Sequence, residues 1–238
     1  EDIIPELLAA GVNGVRLNFS HGTHSEHSAK LKAARKAAKE LNRSVAIIQD
    51  LSGPKIRLGS LPKQGVGVKK GEVIHLSFEA SYDEVQILPT QYDFAGEVKP
   101  GEHLYLRDGQ IKTVITKVAG GIVSVKALNA GTIMSNHGIN LPDTVFKNSV
   151  LTAKDRADVG FALREDVDYV ALSFVQSAEN IAALRALLKR SKSKAKIIAK
   201  IETKPAVRNL RKIIIASDAV MIARGDLGIE IGAENVPI

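Results

Sequence analysis

Two patterns of apolar and polar residues divide the 238-residue chain. Before residue 59 and after residue 143, segments with apolar residues at helical spacing alternate with short runs that are apolar throughout. These patterns predict amphipathic helices and strands buried on both faces of a parallel sheet. Between them lie short alternating runs separated by turn sequences such as RDGQ and AGGI, which predict an inserted all-β domain without helices. The predicted domain boundaries are 1–58, 59–143 and 144–238.

Local signals locate the helices more closely. Gly11 is expected at the C′ position of the first helix, Thr152 and Asp155 form a capping-box pattern, and Pro205 suits a first helical turn. The predicted helices span 1–11, 25–42, 151–166, 178–190 and 204–217. The predicted buried faces consist of Leu31, Ala34, Ala38 and Leu41 in the second helix and of Ile181, Leu184 and Leu188 in the fourth.

Five predicted strands alternate with these helices. The strands and their following loops are 14–22, 44–53, 167–175, 195–202 and 218–228. This order predicts an α/β fold with a parallel sheet, which is either doubly wound or a (β/α) barrel. A GxGxxG motif does not follow the first strand, which argues against a dinucleotide-binding sheet.

Composition narrows the range of partners. The net charge is +7, but aromatic residues make up only 4% and Trp is absent, so little is available for stacking on bases. Much of the positive charge lies on predicted helix faces such as KLKAARKAAKE, where a solvated surface is the usual explanation. The sequence therefore predicts no nucleic-acid partner.

The chain contains no Cys, which excludes disulfides and thiolate metal sites. Its apolar runs are shorter than the roughly 20 residues that a bilayer requires, and its acidic start reads as an amphipathic helix, not a signal peptide. A cytoplasmic protein without a membrane partner is expected.

Polar side chains follow every predicted strand of the parallel sheet. A single such residue is usually a satisfied core charge, but five strand ends in the same register are poorly explained in that way. In a parallel barrel the C-terminal strand ends open on one face, where barrel enzymes build their sites. The residues are Arg16, Asn18 and Ser20; Asp50; Ser173; Lys200 and Glu202; and Arg224 and Asp226.

These residue types suit phosphoryl transfer. Glu202 and Asp226 offer hard oxygen ligands for Mg²⁺ or Mn²⁺. RGDLGIE predicts a Gly-flanked helix start, whose main-chain N–H groups can bind a carboxylate or phosphate. The surrounding cations are Arg16, Arg57, Lys200 and Arg224. A divalent ion, carboxylates and several cations are what an anionic phosphoryl transition state requires. A simple Lys200–Glu202 salt bridge is the plainer alternative.

Five ordered motifs resemble the pyruvate kinase family: GVRLNFSHG, QDLSGPKIRLG, SFVQSAENI, IIAKIET and SDAVMIARGDLGIEIGAENVP. The resemblance extends along essentially the whole chain. It implies a (β/α)8 TIM-type barrel domain, incomplete in this chain, with a small β-barrel lid domain inserted at the predicted position. It also implies transfer of a phosphoryl group from phosphoenolpyruvate to ADP, with Mg²⁺ or Mn²⁺ as cofactor, in a protein that is typically a tetramer.

The resemblance also implies roles for single residues. Arg16 would bind the transferred phosphate, Lys200 would stabilise the phosphoryl group and the enolate oxygen, and the main chain near Gly225 would receive the substrate carboxylate. The remaining implied roles are nucleotide binding by His21, Arg57 and Asp108, divalent-metal binding by Glu202 and Asp226, and a monovalent site at Asn18, Ser20 and Asp50.

The chain departs from the family pattern in two places. Leu51 and Lys55 replace the Thr and Glu of the DTKGPEIR motif found in potassium-dependent members, which resembles the potassium-independent branch. The Lys55 ammonium can supply the charge that K⁺ would otherwise add, so turnover without K⁺ is expected. KIETKPAV also differs from the commoner KIEN.EGV in the residues that pack after Glu202, without altering the implied metal ligands.

Other functions are compatible with the sequence. Five of eight barrel strands would leave unpaired edges, so a fragment of a longer chain is expected. Such a fragment could be catalytically inactive and bind phosphorylated ligands or a partner chain. A related metal-dependent lyase acting through a pyruvate enolate is a third hypothesis, although it has no evident need for the inserted domain or for Arg57.

Overall fold

The computed structural model describes residues 3–78, 80–82, 87–146 and 150–237. The first stretch alternates helix and strand, as the hydrophobic pattern predicts. Its elements are α1 (Ile4–Ala9), β1 (Gly14–Asn18), α2 (His24–Glu40) and β2 (Ala46–Asp50). Residues 1–2 of the predicted first helix lie outside the described residues.

The middle of the chain consists of strands, and its described residues contain no helix, as predicted. The strands are β3 (Val66–Val68), β4 (Val73–Ser77), β5 (Ile87–Pro89), β6 (His103–Leu106), β7 (Ile111–Ala119), β8 (Ile122–Ala127), β9 (Gly131–Ile133) and β10 (Ile139–Asn140).

The last stretch returns to alternation of helix and strand. Its elements are α3 (Ala153–Arg164), β11 (Tyr169–Leu172), α4 (Ala178–Arg190), β12 (Lys196–Ile201), α5 (Lys204–Arg208), α6 (Leu210–Ala216), β13 (Ala219–Ile222) and α7 (Arg224–Ile231). A short 3₁₀ turn, Ala233–Asn235, follows α7.

The chain divides into two compact units. The first comprises Glu1–Pro54, Ser149–Ile201 and Ala206–Ile222. The second comprises Lys55–Asn148, Glu202–Pro205 and Ala223–Ile238. The domain boundaries deduced from the sequence remain a prediction.

A five-stranded sheet organises the first unit. Its strands lie in the order β1-β2-β11-β12-β13, and all four pairings are parallel. The predicted parallel sheet is therefore confirmed. Ile47, Leu172 and Ile197 are fully buried in one apolar core with the helices, which explains why their strands are apolar on both faces.

The second unit is built on antiparallel pairing. A six-stranded sheet has the order β10-β6-β7-β8-β4-β5, in which only the β4–β5 pair is parallel, and β3 pairs with β9. The predicted hairpin turn AGGI joins β7 to β8. Its two central residues, Gly120 and Gly121, have φ angles of +57° and +74°, the left-handed conformations that a type I′ turn requires.

Most helix signals are confirmed. Gly11 follows α1 with φ +110°, and Leu31, Ala34 and Ala38 are buried. The predicted apolar face of α4 is also buried at Ile181, Leu184 and Leu188.

The ends of three predicted elements differ. Leu41 is the C-cap residue of α2 and is 39% exposed, because the helix ends before this residue completes another turn of the buried face. The helix predicted over 204–217 is two helices, interrupted at Asn209. RGDLGIE opens a helix, as predicted, but α7 begins at Arg224 and takes in the residues predicted as a loop after β13, which places Gly225 and Asp226 in its first turn.

The capping box of α3 is confirmed and also holds a neighbouring loop. Thr152 Oγ1 accepts a hydrogen bond from the Asp155 main-chain N–H, and Asp155 Oδ2 accepts one from the Thr152 N–H. Asp155 Oδ1 accepts a further bond from the N–H of Gly53. A Cβ on Gly53 would lie 2.8 Å from Phe174, and φ there is +67°, so only glycine fits this position.

None of the described helices is long and apolar enough to cross a membrane.

We expect Thr152→Ala to lower the free energy of unfolding by about 1 kcal/mol, because it removes the side-chain cap of α3. Thr152→Ser retains the hydroxyl and should remain close to the unaltered protein. Urea unfolding followed by circular dichroism measures the stability of both variants. Equal stability of the Ala and Ser variants would contradict the assignment of Thr152 as the side-chain cap of α3.

Candidate functional site

A buried carboxylate at the end of β2 faces two cations in the first unit. Asp50 is 1% exposed. Its Oδ2 accepts a 2.7 Å hydrogen bond from Arg16 Nε, and its Oδ1 lies 3.4 Å from Lys200 Nζ. A carboxylate withdrawn from water to this degree requires such compensation. Arg16, Asp50 and Lys200 come from three different strands, and parallel pairing brings them together.

Ser173 fixes the Lys200 ammonium from a second side. Lys200 Nζ donates to Ser173 Oγ at 2.7 Å, and Ser173 Oγ donates to the main-chain oxygen of Leu51 at 2.7 Å. Ser173 directly follows β11. Four of the five strand ends singled out in the sequence, those of β1, β2, β11 and β12, therefore contribute a residue to this cluster. Lys200 is 9% exposed, which suits a charge that acts on a ligand away from bulk water.

The predicted monovalent-ion residues lie beside this cluster. Asn18 is the register partner of Asp50 across β1 and β2, and its Oδ1 accepts a hydrogen bond from the Ser20 N–H at 3.0 Å. Ser20 Oγ lies 3.5 Å from Ser52 Oγ. Because both oxygens of Asp50 already face protein cations, a further cation there would have to share them.

His21 lies in the exposed loop after β1. Its main-chain oxygen is 2.9 Å from Nε2 of buried His27, whose ring stacks on Phe19. The loop is therefore held through its backbone, and the His21 side chain is exposed.

Lys55 faces two acidic residues in the second unit. Its Nζ lies 3.6 Å from Oδ1 of Asp226 and 3.6 Å from Oδ1 of Asp108. Asp108 lies in the turn between β6 and β7 with φ +49°. A Cβ on Gly138 would lie 2.6 Å from the Asp108 carboxylate. The absence of a side chain at Gly138 therefore provides the space that the Asp108 carboxylate occupies. Lys55 thus brings positive charge to a predicted metal ligand.

Arg57 has contacts of its own within the second unit. Its guanidinium donates to the main-chain oxygen of Asn136 at 3.1 Å, and its backbone forms an isolated bridge with Gly138.

The two predicted divalent-metal ligands belong to the second unit. Glu202 directly follows β12 in the chain and is 1% exposed, whereas Asp226 is partly buried in the first turn of α7. The described residues contain no group of three or more His, Cys, Asp or Glu side chains suited to a metal. Mg²⁺ commonly binds through one or two carboxylates, with waters and substrate phosphates completing its shell, so two carboxylates suit it.

The start of α7 leaves room for an anion beside Gly225. Apart from its chain neighbours and the nearby backbone of its own helix, a Cβ built on Gly225 would meet no atom within 4 Å. The first turn of a helix has main-chain N–H groups without intrahelical acceptors, and their partial positive charge attracts a carboxylate or phosphate.

The sequence did not single out a further charged cluster in the second unit, formed by His103, Asp143, Lys204 and Glu230. Asp143 Oδ1 accepts from Lys204 Nζ at 2.9 Å, and Asp143 Oδ2 lies 2.7 Å from His103 Nδ1. Burial would raise the pKa of Asp143, but the hydrogen bonds from Lys204 and His103 outweigh it and lower the pKa to about 2. The only sequence signal was the unusual KIETKPAV motif, which contains Lys204.

Glu230 has the opposite shift. Burial raises its pKa to about 7, against the hydrogen bond from the Lys204 main-chain N–H and the charge of the Lys204 ammonium, which lower it. The negative charges of Asp143 and Asp226 raise this pKa further.

The fold and the cluster around Asp50 together indicate a class of protein. A parallel α/β sheet that presents an ammonium, a guanidinium and a buried carboxylate at its strand ends is typical of barrel enzymes that act on anionic substrates.

Comparison with known proteins identifies the family. The family model described as "Pyruvate kinase, barrel domain" matches residues 1–238. Over 99% of its own length, the chain is 42% identical to the pyruvate kinase of Agrobacterium vitis. Over 100% of its own length, it is 38% identical to the pyruvate kinase of Corynebacterium glutamicum. It is 37% identical to the pyruvate kinase of Sporosarcina psychrophila, again over 100% of its length. The chain belongs to the pyruvate kinase family.

The matches also confirm the predicted fold class, because they assign the chain to a barrel domain. The chain covers 49% of the Agrobacterium protein, 50% of the Corynebacterium protein and 41% of the Sporosarcina protein. It thus spans about half the length of the curated relatives that it matches, which agrees with the expectation of a partial barrel.

We expect Glu230→Gln to stabilise the protein more at pH 8 than at pH 5. The pKa of Glu230 is raised from its ordinary value of 4.5 to about 7. The stability contributed by its protonated form is therefore present below about pH 4.5 and lost as the pH rises through about 7. Gln remains uncharged throughout and avoids this loss.

Urea unfolding at both pH values, with a chelator present so that Asp226 carries no metal, measures the effect. Glu40→Gln, in an exposed helix pair with Lys36, is the matched control. If the free energy of unfolding differed between Glu230→Gln and the unaltered protein by the same amount at pH 5 and at pH 8, the raised pKa of Glu230 would be contradicted.

Proposed function

We propose that this chain carries the catalytic residues of a pyruvate kinase, which transfers a phosphoryl group from phosphoenolpyruvate to ADP. In this reaction the bond between phosphorus and the enol oxygen breaks, a bond to a β-phosphate oxygen of ADP forms, and the enolate is protonated to pyruvate. The observation that carries the proposal is the placement of the Lys200 ammonium, held by Ser173 and Asp50 at the strand ends.

Each predicted residue has a role that its chemistry supports. Arg16 binds the phosphate through guanidinium N–H groups, since Nε alone is used by Asp50. Lys200 stabilises the negative charge of the transferring group and of the enolate oxygen, and the main chain at Gly225 receives the substrate carboxylate. His21, Arg57 and Asp108 are the proposed contacts of the nucleotide.

Glu202 and Asp226 are the proposed holders of Mg²⁺ or Mn²⁺. When bound, the ion neutralises phosphate charge and orients phosphate oxygens. The support for this assignment is the donor set: two carboxylates of the second unit, one of them almost fully buried. By family resemblance, the intact enzyme is expected to be a cytoplasmic tetramer.

We also propose that Lys55 replaces K⁺. Its Nζ lies 3.6 Å from Asp226 Oδ1, which supports a fixed cation near the proposed divalent site. Leu51 is 1% exposed in the apolar core of the first unit, and its side chain has no oxygen to offer a monovalent ion. The proposed monovalent site at Asn18, Ser20 and Asp50 is therefore dispensable.

We expect the protein to form pyruvate from phosphoenolpyruvate, ADP and Mg²⁺ in potassium-free buffer, and Lys200→Met to lower kcat by about 10²–10³-fold, as loss of one transition-state charge does elsewhere. A coupled assay of pyruvate measures this. Lys36→Met, which removes the charge of a side chain that is 78% exposed on α2, should leave the rate unchanged.

A fully active Lys200→Met variant would contradict the role of Lys200. Absence of turnover with Mg²⁺ or Mn²⁺, with and without K⁺, would instead favour the inactive-fragment alternative. Calorimetric titration with phosphoenolpyruvate would then test whether the chain still binds phosphorylated ligands. Formation of ATP from ADP separates a kinase from the lyase alternative.

We expect Lys55→Glu to make turnover dependent on potassium, because it removes the built-in cation and adds a carboxylate beside Asp226. Activity in potassium-free buffer should fall on the order of tenfold or more, with partial recovery in KCl but not in tetramethylammonium chloride. Lys55→Arg keeps the charge and should remain independent of potassium. A strict potassium requirement of the unaltered protein would contradict the role of Lys55.

A further inference from the structure

Lys204 connects three parts of the second unit. Its main-chain N–H donates to Glu230 Oε2 at 3.3 Å, and its ammonium donates to Asp143 Oδ1 at 2.9 Å. Glu230 belongs to α7, and Asp143 lies in the segment after β10. The short stretch 202–205 is thus held from two sides by one residue.

Asp143 is itself fixed to the sheet of the second unit. Its Oδ2 lies 3.1 Å from the main-chain N of His103 and 2.7 Å from His103 Nδ1. His103 begins β6, which pairs with β7 and β10. One oxygen of Asp143 therefore contacts a strand that is paired on both sides, while the other accepts a hydrogen bond from Lys204. The pKa of Asp143, lowered to about 2, keeps the carboxylate charged at neutral pH.

The parts that Lys204 connects carry the two proposed metal ligands. Glu202 lies two residues before Lys204, and Asp226 lies four residues before Glu230, one helical turn away on α7. A displacement of Lys204 would therefore move the Glu202 carboxylate relative to the Asp226 carboxylate. Mg²⁺ demands nearly ideal octahedral geometry and tolerates such a displacement poorly.

We propose that Lys204 is a positioning residue, which sets the separation of the Glu202 and Asp226 carboxylates for a divalent cation through its contacts with Asp143 and Glu230. The inference rests on the proposed function, which assigns the metal to these two carboxylates. Residues that orient metal ligands influence affinity strongly, whereas a surface ion pair without such a role contributes little.

The test is direct binding of Mn²⁺ to the protein, measured by the electron paramagnetic resonance signal of free Mn²⁺ and without any assay of activity. Lys204→Met should weaken binding by on the order of 10-fold, the lower end for groups that orient ligands. Asp143→Asn should also weaken it, and this substitution leaves the side-chain volume almost unchanged. Lys204→Arg should restore most of the affinity, and Lys36→Met is the control for loss of a lysine.

Competition by Mg²⁺ and Ca²⁺ separates positioning from general damage. Lys204→Met should lose more affinity for Mg²⁺ than for Ca²⁺, because Ca²⁺ accepts longer bonds and variable coordination. Thermal unfolding without metal shows which variants are folded. If Lys204→Met does not fold, the comparison of Asp143→Asn with unaltered protein decides the question.

The outcomes separate the two proposals. Loss of Mn²⁺ binding in Glu202→Gln, together with unaltered binding in both Lys204→Met and Asp143→Asn, would overturn the positioning role and leave the metal site standing. Unchanged binding in Glu202→Gln, or no binding by the unaltered protein, would overturn the metal assignment and the inference with it. Weakened binding in Lys204→Met and Asp143→Asn, with recovery in Lys204→Arg, would support both.

Discussion

The compensation of the buried Asp50 carboxylate is the constraint on which the first unit's chemistry depends. Asp50 is 1% exposed and contacts Arg16 and Lys200. Removing one partner of a buried ion pair typically costs about 3–5 kcal/mol, because the remaining charge is left without compensation. The contacts that make this carboxylate tolerable also hold Lys200 in one place. Stability and the proposed catalytic role therefore depend on the same contacts.

Lysine residues also compensate carboxylates in the second unit. Lys55 faces Asp108 and Asp226, and Lys204 joins Asp143 to Glu230 through its ammonium and its main chain. Each lysine brings residues from separate stretches of the chain to one point. A side chain with a flexible stem and a compact charge suits this purpose. The net charge of +7 thus includes lysines with specific internal partners as well as those on exposed helix faces.

Hydrophobic spacing and local signals predicted much of the fold. The alternation of helix and strand, the all-β insertion and the Thr152–Asp155 capping box were all visible, because each depends on residues close in the chain. The errors concern where a helix ends or is interrupted. Leu41 has the right spacing but lies at the end of α2, and the helix predicted over 204–217 breaks at Asn209, where no Gly or Pro marks the interruption.

The sequence by itself determined the family, the parallel order of strands and the residue types at their ends, since these follow from motifs and from periodicity. Only the tertiary structure decided which charges meet. Asp50 and Lys200 are 150 positions apart in the chain, yet strand pairing places their side chains 3.4 Å apart. The contact between Lys204 and Asp143 was likewise invisible. Such pairs form because folding removes charged groups from water, and each buried or half-buried charge then requires a partner that only the assembled fold can supply.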